Sequence, residues 1–404
     1  MRRMKLALLN LFRNRRRSLL SVSIVAIAVM ALMASGGFGL YTYQSLQESA
    51  ARTQGHLTFA QSGYFDSDED FPLQNGLEDA ASLSRKLLMR DGVKAVQPRI
   101  YFTGLISNGE KSTIFVGQGV EASEFRLKGP FMDISSGKTL SPDEAKSNPQ
   151  IMLGKGLARN LKVNTGDYIT LMTSTVEGAL NAIDFQVRGI YSAGVPELDK
   201  RQIYVSLPAA QSLLDSTRVS TISVYAYELS STEELRQQLS NIAPELEITS
   251  WEERAFFYDK VKGLYNRIFG VMGLVMALVV FVALFNTLTM SVTERTREIG
   301  TLSALGTARS ELLLNFMCEG LLLALAGALI GIALTAMISV SLMVLEVEMP
   351  PPPGSTNGYP LMIYFSSSLA WMITLGVSII CVVSSFLAAR KGVNKPITEA
   401  LIHV

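Results

Sequence analysis

The sequence predicts four transmembrane helices in a 1 + 3 arrangement, with a large mixed α/β domain inserted between spans 1 and 2. Three observations carry this. Apolar runs occupy Leu19–Tyr41, Ile268–Met290, Leu312–Leu345 and Leu369–Ala389. Each can cross about 30 Å of hydrocarbon, which takes roughly 20 helical residues at about 1.5 Å per residue. The interval Gln44–Lys262 is polar and alternates strand signals with helix signals.

Composition agrees with a chain that is half membrane and half aqueous domain: 48% of residues are hydrophobic and 18% charged. The formal net charge of +1 offers no global field for nucleic acid. Cys318 and Cys381 both fall inside apolar runs, which excludes a disulfide framework or a metal cluster on count. Arg2, Arg3, Lys5, Arg13, Arg15, Arg16 and Arg17 precede the first run with no acidic residue among them. Basic flanks stay in the cytoplasm, so both termini are expected there and the α/β domain is expected to face outward. The first run exceeds a usual signal-peptide core and lacks a small-x-small cleavage site, so it is read as a retained span.

The elements follow in order. Residues 1–18 form a cytoplasmic amphipathic segment, with Met4, Leu8, Leu11 and Phe12 at helical spacing. Span 1 covers 19–43, and the α/β domain with its stalk covers 44–262. Within that domain Thr113–Val120, Ile151–Leu153, Tyr168–Thr173, Phe185–Tyr191, Gln202–Leu207 and Thr221–Glu228 read as strands. Gly154–Leu161 and Ala209–Leu214 read as short helices, the latter opened by Pro208. Ser231 and Glu234 have capping-box spacing before Thr232–Ile242. The size suggests two subdomains. Asp66–Asp70 reads as a solvated loop. Gln44–Thr53 continues span 1 as a stalk, and Trp251–Arg267 runs without a breaker into span 2 (263–290). A cytoplasmic segment (291–311), span 3 (312–345), an outer loop (346–366) containing Pro350–Pro353, span 4 (367–389) and a cytoplasmic tail (390–404) complete the chain.

No catalytic constellation is visible. The only histidines are His56 and His403. Gly137-Lys138-Thr139 lacks the first glycine of a phosphate loop, since Met132 stands there. The apolar runs Leu19–Tyr41, Ile268–Met290 and Leu369–Ala389 carry no charged residue, and Leu312–Leu345 carries only Glu319, about two turns inside it. That argues against an ion-coupled carrier. Glu319 is either a carboxylate of the coupling region or one that snorkels to the interface. Gly320, Ala324 and Ala328 form a four-spaced row, and Gly327 with Gly331 a GxxxG pair. Such rows let helices approach closely, within one bundle or along a dimer seam.

The most specific motif follows span 2: Glu294, Arg295, Thr296, Arg297, Glu298, Ile299 and Gly300, then Leu302, Leu305 and Gly306. It reads as a short amphipathic helix with charged ends. Ile299, Leu302 and Leu305 form an apolar ridge, and Gly306 stops the helix. Such a helix suits a partner's groove or the lipid surface. The motif, with Ala304-Leu305-Gly306 after it, resembles the coupling segment of FtsX-like ABC transporter permeases of the MacB type. Glu311–Gly331, Ala388-Ala389-Arg390 and Pro396–Leu401 resemble that family's third span and tail. Ile151–Leu171 and Phe185–Leu207 are similar to its periplasmic core domain.

The resemblance implies a four-span permease that works as a dimer, with a second copy or a paralogue, each docking a cytoplasmic ABC ATPase. MacB-type members carry a fused N-terminal ATPase. This chain starts at the amphipathic segment, a layout shared with the lipoprotein-releasing LolC and LolE subunits. The ATPase is therefore expected on a separate polypeptide, with ATP and magnesium held there and no cofactor or metal in this chain. The function implied is transmission of ATP-driven motion to the periplasmic domain, to extract or export a lipoprotein, lipid or amphiphilic small molecule or peptide. A periplasmic adaptor or lipoprotein is a further candidate partner. The alternative is an FtsX-like regulator that activates a periplasmic enzyme.

Overall fold

The computed structural model describes residues 15–66, 71–128, 132–141, 148–349 and 359–394. Met4–Phe12, most of Asp66–Asp70, Pro350–Pro353 and Pro396–Leu401 lie outside the described residues. The chain divides into two compact units. The described parts of Met1–Gln44, Lys260–Glu348 and Pro360–Val404 form one; Ser45–Asp259 with Met349–Tyr359 form the other.

Four helices are long and apolar enough to cross a membrane: α1 (Arg15–Gln54), α9 (Phe256–Glu294), α11 (Arg309–Leu345) and α12 (Ser367–Val393). Within the helical unit they bury a shared apolar cluster that includes Val25, Val29, Met33, Leu284, Leu323, Ala328 and Cys381. Much of the remaining helix surface is apolar and exposed, as lipid-facing positions require: Leu274 and Leu278 on α9, Leu329 on α11, Trp371 and Leu375 on α12.

The α/β unit holds a ten-stranded sheet. Its strands are β1 (Leu57–Gln61), β2 (Val93–Ser107), β3 (Ser112–Val120), β4 (Asp133–Gly137), β5 (Gln150–Gly154), β6 (Tyr168–Ser174), β7 (Leu180–Ser192), β8 (Gln202–Ser206), β9 (Thr221–Ala226) and β10 (Leu246–Ser250). Two sub-structures share it. Strands β10, β1, β9 and β2 lie side by side, all antiparallel, with α2 (Ala80–Leu88) and α7 (Thr232–Ser240) packed on them. This is a split β-α-β arrangement. Between β2 and β9 the chain makes a closed circuit of paired strands, β2–β3–β8–β5–β7–β6 and back to β2. A six-membered ring has no free edge along its path. Gly104 permits the closure, because a Cβ there would lie 2.2 Å from the Met172 carbonyl oxygen of β6.

The ring carries α3 (Glu124–Lys128), α4 (Lys155–Leu161), α5 (Pro196–Asp199) and α6 (Leu207–Leu214). Period-two alternation is visible in β6, whose Ile169, Leu171 and Thr173 point inward. β5 and β9 are buried throughout, so they read as unbroken apolar or small-residue runs.

Two local expectations are corrected. Ser231 does not cap α7, because its hydroxyl donates to the Glu228 carbonyl within a 3-10 turn. The capping box is formed by Ser250 and Glu253 at the start of α8 (Trp251–Arg254). Trp251–Arg267 is not one helix either: Ala255, at φ −89° and ψ 53°, separates α8 from α9.

Candidate coupling site

The site begins where α9 ends. Arg295, at φ −95° and ψ 9°, turns the chain into α10 (Thr296–Ala304). Gly306 stops α10 at φ 90°. Its N–H donates to the Ser303 carbonyl at 3.1 Å, and that of Thr307 to the Leu302 carbonyl at 3.0 Å. This is a Schellman motif, which satisfies carbonyls that a helix end otherwise leaves open.

The two faces of α10 differ. Arg295, Thr296, Ile299 and Gly300 are buried, and Arg297, Glu298, Leu302, Leu305 and Gly306 are exposed, Leu305 by 79%. The expected ridge of Ile299, Leu302 and Leu305 is therefore split. At about 100° per residue, Leu305 lies roughly 120° around the helix from Ile299. Ile299 packs inward with Val292, Leu312, Phe316, Ala389 and Val393. Gly392 leaves room for this packing: a Cβ there would meet Val292 Cγ1 at 2.1 Å.

Adjacent charges at the head of the segment bind different helices. Glu294 accepts both terminal nitrogens of Arg17 on α1. Arg295 Nη1 donates to Glu319 Oε2 on α11 at 3.3 Å. Glu319 thus faces a cation inside the bundle instead of snorkelling. Arg295 also departs from expectation, since its side chain anchors the segment and is not offered to a partner. Arg295 Nε and Nη2 have no hydrogen-bond partner among the described residues. Arg295 borders a cavity of about 20 Å³ lined also by Ser18, Ser21, Thr287, Ser291 and Glu319. That is room for about one water molecule.

The small-residue rows have partners within the chain. A Cβ on Gly320 would overlap Ser385 Oγ on α12 at 1.8 Å. On Gly327 and Gly331 it would meet Val25 Cγ1 at 2.5 Å and the Ala26 carbonyl oxygen at 2.6 Å, both on α1. Ala324 and Ala328 are buried in the same bundle. These rows close α11 onto α12 and α1, so the bundle reading of the two left open by sequence describes them.

Sequence reasoning treated Arg17 only as a topology signal and missed it as the partner of Glu294. Its sole sequence signal is its position at the mouth of span 1, level with the end of an antiparallel neighbour.

Comparison with known proteins accounts for both units. The model of the MacB-like periplasmic core domain matches residues 18–242, and that of the FtsX-like permease C-terminal region matches residues 270–397. The chain belongs to the FtsX-like, MacB-type ABC transporter permeases and is a multi-pass membrane protein. It is 25% identical over 272 residues to the lipoprotein-releasing system transmembrane protein LolE of Haemophilus influenzae, covering 65% of this chain and 64% of that protein. It is 23% identical over 348 residues to the macrolide export ATP-binding/permease protein MacB of Bdellovibrio bacteriovorus, covering 80% and 51%. The ABC transporter permease YknZ of Bacillus subtilis is 22% identical over 347 residues, covering 82% and 84%. The chain thus spans 64% and 51% of the first two of these relatives. The crystal structure of the periplasmic region of MacB from Actinobacillus actinomycetemcomitans aligns with a TM-score of 0.37 and 16% identity, over 50% of this chain and 92% of that one.

Proposed function

We propose that this chain is the motion-transmitting permease subunit of an ABC transporter in the bacterial inner membrane. Its termini face the cytoplasm and its α/β domain faces the periplasm. It docks a cytoplasmic ABC ATPase, which holds the ATP and magnesium, and it pairs with a second permease copy or paralogue. The division of α10 into two faces carries this reading. The inner face is fixed to α1 and α11 by Glu294 and Arg295, while Arg297, Glu298, Leu302 and Leu305 are presented outward. A partner that displaces the outer face therefore displaces the ends of three spans together. Charged residues are sparse in the spans and Glu319 is paired with Arg295, which favours work done on cargo already at the outer surface over a polar conduit. The cargo class is an amphiphile. The relatives' names, macrolide export and lipoprotein release, support that breadth.

The test is the double charge reversal Arg297→Glu with Glu298→Lys, in full-length protein co-expressed with its ATPase. We expect roughly tenfold or greater loss of ATPase association, with thermal stability of the permease unchanged. Wild-type association and wild-type stimulation of ATP hydrolysis in that variant would remove α10 as the docking element.

A further inference from the structure

The helices that lead into the α/β domain are attached to it in different ways. The last turn of α1 is captured by the sheet. Arg99 on β2 donates through Nη1 to the carbonyls of Thr53 at 2.8 Å and Gln54 at 3.2 Å. Its Nη2 donates to the Tyr225 hydroxyl at 2.6 Å, and that hydroxyl donates to the Arg52 carbonyl at 2.9 Å. Ser223 Oγ donates to the Gln54 carbonyl at 2.8 Å. Glu124 neutralises the guanidinium, with Nη2 to Oε1 at 2.8 Å and Nε to Oε2 at 3.2 Å. Three successive carbonyls at a helix end, a place where cations are favoured, are thus fastened to β2 and β9.

Termination alone does not call for this. Gly55 at φ 93° already ends α1, with its N–H on the Ala51 carbonyl. The buried pair adds attachment beyond what a stop requires. α9 meets the domain across a break. α8 is fixed to the sheet by its capping box and by the Trp251 N–H on the His56 carbonyl at 3.0 Å. The chain then breaks at Ala255 before α9 begins. Just beyond the break, Tyr258 receives a hydrogen bond from Gln47 Nε2 of α1 at 2.6 Å.

We propose that Arg99 is the positioning residue that makes α1 the rigid handle of the α/β domain, and that Ala255 is the hinge through which α9 meets it. Motion delivered along α1 turns the domain, and α9 accommodates by bending at Ala255. This rests on the transmission reading above.

The test uses the full chain in lipid nanodiscs, with Cys318→Ser and Cys381→Ala as background. Spin labels are placed at exposed Ser45, Asp259 and Ser112, and pairwise distance distributions are measured. At rest the Ser45–Ser112 distribution is expected to be narrow and the Asp259–Ser112 distribution roughly twofold wider. Arg99→Met should widen the first roughly twofold and leave the second unchanged. Tyr225→Phe, which removes one hydroxyl, should widen the first by less and serves where Arg99→Met fails to fold. Equal resting widths, or an unwidened Ser45–Ser112 distribution in Tyr225→Phe and in any folded Arg99→Met, would overturn the proposal. Addition of the ATPase with ATP should shift Asp259–Ser112 and not Ser45–Ser112. If neither distance responds to ATP while the resting results hold, the joint stands and the transmission reading falls. If Ser45–Ser112 shifts instead, the rigid handle is refuted.

Discussion

Each unit of the molecule buries one arginine–glutamate pair among the described residues, and the two pairs are built differently. In the α/β domain Arg99 and Glu124 are 1% and 0% exposed and meet through two contacts. The remaining Arg99 donors reach a phenol and two carbonyls. In the helical unit Arg295 and Glu319 are 7% and 8% exposed and meet through one contact at 3.3 Å, with Arg295 Nε and Nη2 unpartnered. A pair whose guanidinium has all three nitrogens engaged is costly to disturb, because removing either partner leaves the other charge buried. An under-satisfied pair has less to lose and can exchange partners when the helices around it shift. The α/β domain has the fixed joint, and the base of α10 has the adjustable one.

The largest expected effect tests the first half of this contrast. Arg99→Met leaves the Glu124 carboxylate buried without its guanidinium, and should cost about 3–5 kcal/mol. The readout is urea unfolding followed by Trp251 fluorescence in a Trp371→Phe background. Arg99→Met combined with Glu124→Leu should recover much of the loss, since two apolar groups replace the pair. A double variant as unstable as the sum of the singles would mean that the carbonyl contacts, not the charge pair, hold the site.

A smaller effect is expected at the second pair. Arg295→Met should cost about 1–3 kcal/mol. Cys381 is fully buried in the helix bundle, so its labelling by a thiol reagent reports opening there. In a Cys318→Ser background, labelling should quicken in Arg295→Met. It should return towards the wild-type rate when Glu319→Gln is added, because the orphaned charge is then gone. Labelling unchanged by Arg295→Met would show that this pair does not hold the bundle at all.

The contrast also explains what could be read from sequence. The spans were legible because bilayer thickness imposes a run length, and the 1 + 3 layout follows from counting such runs. The segment after span 2 was legible as a short helix, and Gly306 as its stop, because a positive φ selects glycine. Its two faces were not. Arg295 and Arg297 are the same residue type two positions apart, and only Glu319, 24 residues away, decides which one turns inward. Arg99 was missed for the same reason. Within β2 it reads as one more basic residue, and its partners lie 25, 45, 46 and 126 positions away. Ser231 and Glu234 show the converse failure, where capping-box spacing is present but a preceding 3-10 turn claims the hydroxyl. Spacing reports local geometry well, and it is silent on which distant element fills the space opposite.

The smallest expected effect lies beside the fixed joint. His56 follows Gly55, just past the end of α1, with its Nδ1 unpartnered among the described residues. Burial, and then the nearby Lys94 charge, lower its pKa to about 4, so the folded domain keeps this imidazole neutral. The unfolded chain takes up the proton near pH 6.5. Between those values the unfolded state binds more protons, so stability is full above pH 6.5 and falls as the pH drops towards 4. Trp251-monitored unfolding of the wild type should therefore show a lower urea midpoint at pH 5 than at pH 7. His56→Asn should flatten that part of the decline, since the His56 N–H and carbonyl bonds to Val224 and Trp251 are backbone groups and survive the change. Equal slopes in the two proteins, or an imidazole that titrates near 6.5 by NMR in the folded chain, would place His56 in water and detach it from the joint.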